Sequence, residues 1–226
     1  EGIHGQYAAA GSRIVNANTF GASAHKLAGS AYTLEQIITA GIENCKRACA
    51  PYGALTALDV GPLGELLEPS GTLAFEDAVA EYARIVKAGE AAGADLIFFE
   101  TYTDLYELKA ALLAAKENTH LPILASMSFE AGGRTFTGCT VESFAATARG
   151  LGADAVGINC SLGPKEIFPM AKRLAEAVPG NFPVFVKPNA GLPRADGSGY
   201  DITPQLFALQ MKPYRELHLF AAGGCC

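Results

Sequence analysis

Short apolar runs recur along the whole chain, at Arg13–Val15, Leu55–Val60, Leu96–Phe99, Ile123–Met127, Ala155–Ile158, Val184–Val186 and Leu217–Ala222. Between them lie alanine-rich stretches, among them Leu34–Ala50, Phe75–Ala92, Leu105–Glu117, Val141–Gly150 and Pro164–Val178, each with apolar residues on one helical face and charges on the other. The alternation predicts β-α-β-α. Strands that are apolar on both faces and joined by helical crossovers belong to parallel sheets. So long a series predicts an α/β fold of the TIM (β/α)8 barrel type rather than an open doubly wound sheet. With 226 residues, 50% of them hydrophobic, the chain can bury one sizeable core, and residues 1–226 are expected to form a single domain. Glu1–Ala10 reads as the tail of a helix leading into the first run, and no residue follows Cys226. The expected barrel therefore lacks its first strand and its last helix and is truncated at both ends, which would leave two strands with unpaired edges prone to association.

The polar residues just past each run fall in one register: Asn16, Asn18 and Thr19; Gly61 and Pro62; Glu100 and Thr101; Ser128; Asn159 and Cys160; Asn189; Cys225 and Cys226. In a barrel all of these stand at the C-terminal rim, where active sites are built. That rim would collect three thiols, Cys160, Cys225 and Cys226. Adjacent cysteines strain the ring they close when they bond to each other, whereas two thiolates can meet one tetrahedral ion if the backbone is flexible, which Gly223 and Gly224 supply. Three thiolates with an open fourth position describe a zinc site able to activate a substrate. A structural or storage zinc site, a redox pair and plain buried cysteines remain open on these residues alone. Cys45, Cys49 and Cys139 read as structural.

Composition excludes several functions. Seventeen basic residues against 23 acidic ones give a net charge of −6, with no basic cluster to neutralise phosphates, so nucleic acid and anionic membranes are poor partners. The apolar runs fall far short of the roughly 20 residues that span a bilayer, and no N-terminal signal pattern is present, so a cytoplasmic location is expected. Six cysteines, irregularly spaced, do not make a disulfide scaffold. No strand is followed by a glycine-rich nucleotide fingerprint.

Six ordered motifs carry a resemblance: Asn18-Thr19-Phe20-Gly21-Ala22-Ser23, Gly61-Pro62-Leu63-Gly64-Glu65-Leu66, Phe99-Glu100-Thr101-Tyr102-Thr103-Asp104, Gly157-Ile158-Asn159-Cys160-Ser161-Leu162-Gly163-Pro164, Lys187-Pro188-Asn189-Ala190-Gly191 and Gly223-Gly224-Cys225-Cys226. Together they resemble the homocysteine-binding barrel of the zinc-dependent homocysteine S-methyltransferases, especially the N-terminal module of the cobalamin-dependent methionine synthases. The resemblance implies Zn2+ held by Cys160, Cys225 and Cys226, with Asn189 as a candidate fourth ligand while substrate is absent. It implies homocysteine as substrate, with Glu100 receiving the ammonium group and Asn18, Thr19 and Asn159 nearby. Zinc would hold the homocysteine thiol as its thiolate, which accepts a methyl group to give methionine. Methylcobalamin and 5-methyltetrahydrofolate would be bound by other domains or proteins, a reading toward which the residues around Thr19, Gly64 and Tyr102 lean. A betaine- or S-methylmethionine-dependent homocysteine S-methyltransferase and a non-catalytic zinc-binding barrel fragment are the alternatives.

Several of these residues also have plainer roles. Glu100 would favour a helix N-terminus, Asn18 and Asn159 would satisfy rim backbone groups, and Asn189 would make a turn between Pro188 and Ala190-Gly191. Asp104 and Glu107 are expected in the first turn of a helix. His4, His120 and His218 fall outside the rim register, and His25 lies in a loop.

Overall fold

The computed structural model describes residues 1–194, 197 and 199–226. In chain order its elements are α1 (Gly2–Ala9), β1 (Ile14–Asn16), α2 (Leu34–Cys49), β2 (Leu55–Val60), α3 (Phe75–Ala91), β3 (Leu96–Tyr102) and α4 (Leu105–Asn118). Then follow β4 (Ile123–Met127), α5 (Val141–Gly150), β5 (Ala155–Asn159), α6 (Pro164–Ala177), β6 (Val184–Lys187), α7 (Pro204–Gln210), a 3-10 turn at Lys212–Leu217 and β7 (Ala221–Ala222). Helices begin where the sequence supplies a cap. Thr33 accepts from the Gln36 N–H while the Gln36 side chain accepts from the Thr33 N–H, closing a capping box on α2. Thr140 accepts from the Ser143 N–H at the start of α5.

The chain divides into two compact units, Glu1–Glu100 with Tyr106–Leu124, and Thr101–Leu105 with Ala125–Cys226. In the first, β1 pairs parallel with β2, and β2 with β3, in a register that sets Ala57 beside Leu96 and Val60 beside Phe99. Its core is built from Ile38 and Ile42 of α2, Leu58 of β2 and Ile85 of α3, with Tyr82 edge-on to Phe99 at 6.2 Å between ring centroids. The spacing of Ile38, Ile42 and Cys45 puts one face of α2 onto the strands, as its periodicity predicts.

In the second unit the strands follow chain order from β4 through β7, with β5 parallel to β6 and β6 parallel to β7. Gly157 stands opposite Phe185 in the β5–β6 register, and a Cβ at Gly157 would lie 2.3 Å from the Phe185 ring, so the glycine is the space the ring occupies. The result is an α/β fold with seven parallel strands. Among the described residues β1 pairs with β2 alone and β7 with β6 alone.

The periodic stretches between runs form helices within a residue or two of the expected bounds. The last run differs. The strand expected over Leu217–Ala222 is reduced to Ala221–Ala222, because Leu217 completes the 3-10 turn and His218 adopts a left-handed conformation at φ 48°. Pro213 at the start of that turn has no N–H to give a ladder, and the buried Tyr214 hydroxyl fixes the turn by donating to the Pro164 carbonyl at 2.5 Å. Helix α7 was not anticipated, although Thr203 caps it and Pro204 occupies its first turn. No described helix is long and apolar enough to cross a membrane.

Candidate metal centre

Strand β5 ends at Asn159, and the two residues that follow take left-handed backbone conformations, Cys160 at φ 63° and Ser161 at φ 64°. Such conformations cost about 1–3 kcal/mol each and persist only where the surroundings enforce them. The enforcement here is hydrogen bonding. The Cys160 N–H donates to the Lys187 carbonyl at 3.1 Å, and the Leu162 N–H donates back to the Cys160 carbonyl at 2.8 Å. The turn thus aims the Cys160 side chain off the end of the strand instead of along it.

The C-terminal thiols are held by the same short segment after β6. The Cys225 N–H donates to the Pro188 carbonyl at 2.9 Å, the Cys226 N–H to Asn189 Oδ1 at 3.0 Å, and the Ala190 N–H to the Cys226 carbonyl at 2.8 Å. Lys187–Ala190 therefore grips all three cysteine backbones. The outcome is that the ligand atoms of Cys160, Cys225 and Cys226 lie within 4.8 Å of one another. Cys160 Sγ and Cys226 Sγ are 3.8 Å apart. Two sulfurs bound tetrahedrally to zinc at about 2.3 Å are separated by about 3.8 Å, whereas a disulfide needs about 2.05 Å. The donor set and its spacing fit zinc, with three protein ligands and one position left for a substrate.

The electrostatics favour thiolate. The Cys160 thiol is pushed down to about 5 by hydrogen bonding from Cys225, against burial that raises it, with the Ser161 N–H, Cys226 and Asn189 adding to the lowering. By contrast, burial pushes Cys45 up to about 12. Cys45 and Cys49 are fully buried on α2, 3.8 Å apart, with the Cys45 thiol donating to the Val15 carbonyl. Both behave as core residues, as the sequence suggests.

The remaining expected site residues divide by unit. In the second, Asn189 is buried beside the thiols, its Oδ1 bonded to the Cys226 N–H. Asn159 is fully buried; its Oδ1 accepts from the Thr101 N–H and Ser126 hydroxyl, and its Nδ2 donates to Thr101 Oγ1 and Cys225 Sγ. Those four bonds anchor the amide within the protein. In the first unit, Glu100 is buried within β3 and accepts from Asn16 Nδ2 at 3.2 Å. Asn18 is exposed. The buried Thr19 hydroxyl donates to the Asp59 carbonyl at 2.8 Å and accepts from the Asp59 N–H at 3.0 Å, which ties the turn after β1 to β2. Glu107 does lie in the first turn of α4, but buried, accepting from the Leu63 N–H and the Tyr82 hydroxyl.

Thr101 stands in the expected rim register without an expected role of its own, and Ser126 lies outside that register. Thr101 is at φ 67°, an unusual conformation for a β-branched residue. Ser126 is a fully buried hydroxyl inside the apolar run of β4, and that polar interruption was the available signal.

The family model for homocysteine S-methyltransferase matches residues 1–226. The chain belongs to the homocysteine S-methyltransferase family. Within that family it is 30% identical over 243 residues to the methionine synthase of Mycobacterium tuberculosis and 31% identical over 245 residues to that of Mycobacterium leprae. Both alignments cover 100% of this chain and 20% of the relative, so the chain spans a fifth of the length of these curated relatives. The crystal structure of the homocysteine methyltransferase MmuM from Escherichia coli in its metallated form matches this homocysteine S-methyltransferase family fold at a TM-score of 0.79. That match has 22% identity and covers 100% of this chain and 78% of MmuM.

Proposed function

We propose that this chain is the zinc-dependent, homocysteine-activating module of a methionine synthase, a methyltransferase that converts homocysteine to methionine. The observation that carries the reading is the convergence of Cys160, Cys225 and Cys226 on one point in a chain aligned over its full length with methionine synthases. Zinc, when bound, supplies a net-negative thiolate environment in which a substrate thiol, with an ordinary value near 8.5, is held deprotonated at neutral pH. The chain's own residues do the rest. The Lys187–Ala190 segment fixes the three cysteines, and Asn189, already bonded through Oδ1 to the Cys226 N–H, is the candidate neutral ligand that yields to substrate. Glu100 is assigned the substrate ammonium, and Asn18 the turn beside it, which Thr19 holds in place.

The fold is read as a (β/α)8 barrel of which these seven strands are part. The methyl donors, methylcobalamin and 5-methyltetrahydrofolate, are assigned to the portion of such a synthase that lies outside these 226 residues, in keeping with the length of the relatives. Reduced thiols at the site suit a reducing, cytoplasmic compartment.

The test is metal analysis with X-ray absorption at the zinc edge, with and without homocysteine. Stoichiometric zinc that gains one sulfur ligand on adding homocysteine is the expected outcome. Zinc whose sulfur count does not change would remove the activation step, and a chain that takes up no zinc would remove the site.

A further inference from the structure

Asn159 closes β5 one residue before Cys160, and its carboxamide is completely buried. Oδ1 accepts from the Thr101 N–H at 2.9 Å and from the Ser126 hydroxyl at 2.8 Å. Nδ2 donates to Thr101 Oγ1 at 2.8 Å and to Cys225 Sγ at 3.7 Å. A backbone N–H can only donate, so the Thr101 amide dictates which end of the carboxamide is oxygen. Turned end for end, the NH2 group would face that N–H directly. The nitrogen is therefore obliged to lie on the Cys225 side.

We propose that Asn159 is a positioning residue of the metal centre whose N–H···S hydrogen bond fixes the Cys225 sulfur and withdraws negative charge from it. This rests on the zinc reading above. The chemical reason is competition among sulfurs. When several thiolates surround one ion, each is a nucleophile toward a methyl donor, and a cysteine ligand that became a thioether would be lost to the metal. A hydrogen bond to a thiolate spreads its charge onto the donor and lowers its nucleophilicity. The amide thus protects Cys225, and the substrate sulfur, which arrives without this donor, keeps its charge.

Thr101 supports the assignment independently. Its left-handed backbone at φ 67° is costly for a β-branched side chain. Both its N–H and its hydroxyl are bonded to Asn159, so the strained residue and the ligand-facing amide form one unit. The Ser128 hydroxyl, donating to the Asn159 carbonyl at 2.8 Å, holds the backbone of the same residue. A residue needed only to finish a strand would not require its side chain, its carbonyl and a strained neighbour to be locked together.

The test uses the nitrogen-labelled chain loaded with NMR-active cadmium in place of zinc. Expected is through-bond coupling between the metal and one asparagine side-chain amide proton, lost in Asn159→Asp while the metal stays bound. Asn159→Asp is also expected to weaken zinc binding by about 10-fold or more and to speed alkylation of Cys225 relative to Cys160 and Cys226 in the zinc-loaded protein. Metal-loaded wild-type chain without the coupling overturns this inference and leaves the metal centre standing, and it does so with no need for a variant that folds. An unchanged alkylation ratio in a folded Asn159→Asp protein overturns it equally. A chain that binds neither zinc nor cadmium overturns the metal centre and the inference together.

Discussion

Two groups of cysteines in this chain sit in opposite electrostatic environments, and the difference is set residue by residue. Cys160 meets donors from Cys225, Ser161, Cys226 and Asn189, whereas Cys45 lies on the buried face of α2 and is pushed up to about 12 by burial. For Cys45 the sign of the linkage is clear. The folded-state value lies above the unfolded one, so the contribution to stability is complete below about pH 8.5, the ordinary thiol value. It is lost as pH rises from there toward 12. Denaturant midpoints measured across that alkaline range should fall in the wild type and fall less steeply in Cys45→Ala; parallel profiles for the two proteins would contradict the assignment. The thiols were the part of the site most legible in the sequence, because cysteines past the ends of apolar runs have few structural reasons to be there. Thr101 was less legible as a site residue, since positive φ at a threonine is imposed by Asn159 from another strand and leaves no mark in local sequence.

Elements were legible where a single physical signal dominated. The run Leu55–Val60 became β2 with its bounds unchanged, and Val141–Gly150 became α5 likewise, because one is mainly apolar, with Leu55, Ala57, Leu58 and Val60, and the other is capped by Thr140. The final strand was overextended because apolar content alone does not reveal that Tyr214 pins a 3-10 turn through Pro164. The contact between β5 and β6 gives an element-scale prediction. Gly157→Ala places a methyl 2.3 Å from Phe185 Cε2, inside any van der Waals contact, and overpacking of this kind costs about 1–3 kcal/mol. Urea unfolding should show a loss in that range, partly restored when Phe185→Leu is added. A Gly157→Ala protein as stable as the wild type would show that the ring has room to turn aside.

For the whole molecule, the α/β class with parallel strands was legible in the alternation, since runs apolar on both faces and joined by amphipathic helices form parallel sheets. The three thiols of the candidate centre were legible too, but what holds their backbones was not. Little in Lys187-Pro188-Asn189-Ala190 announces that it bonds to three cysteine backbones, because apart from the Asn189 side chain those bonds involve main-chain groups common to every residue. Because zinc would bind the folded chain and not the open one, it should stabilise the protein, by about 2.7 kcal/mol when free zinc stands about 100-fold above its dissociation constant. Thermal unfolding should move up on adding zinc, return on chelation and stay unmoved in Cys160→Ser; an equal zinc response in that variant would mean the ion binds elsewhere. The grip of Lys187–Ala190 on Cys160 and on the Cys225-Cys226 pair also fixes an order in time. As the chain leaves the ribosome Cys160 emerges first, the gripping segment next and the Cys225-Cys226 pair after it, so a metal held by all three thiols would be captured only once that whole stretch has emerged. In a zinc-starved cell the strands would accumulate ahead of the filled centres.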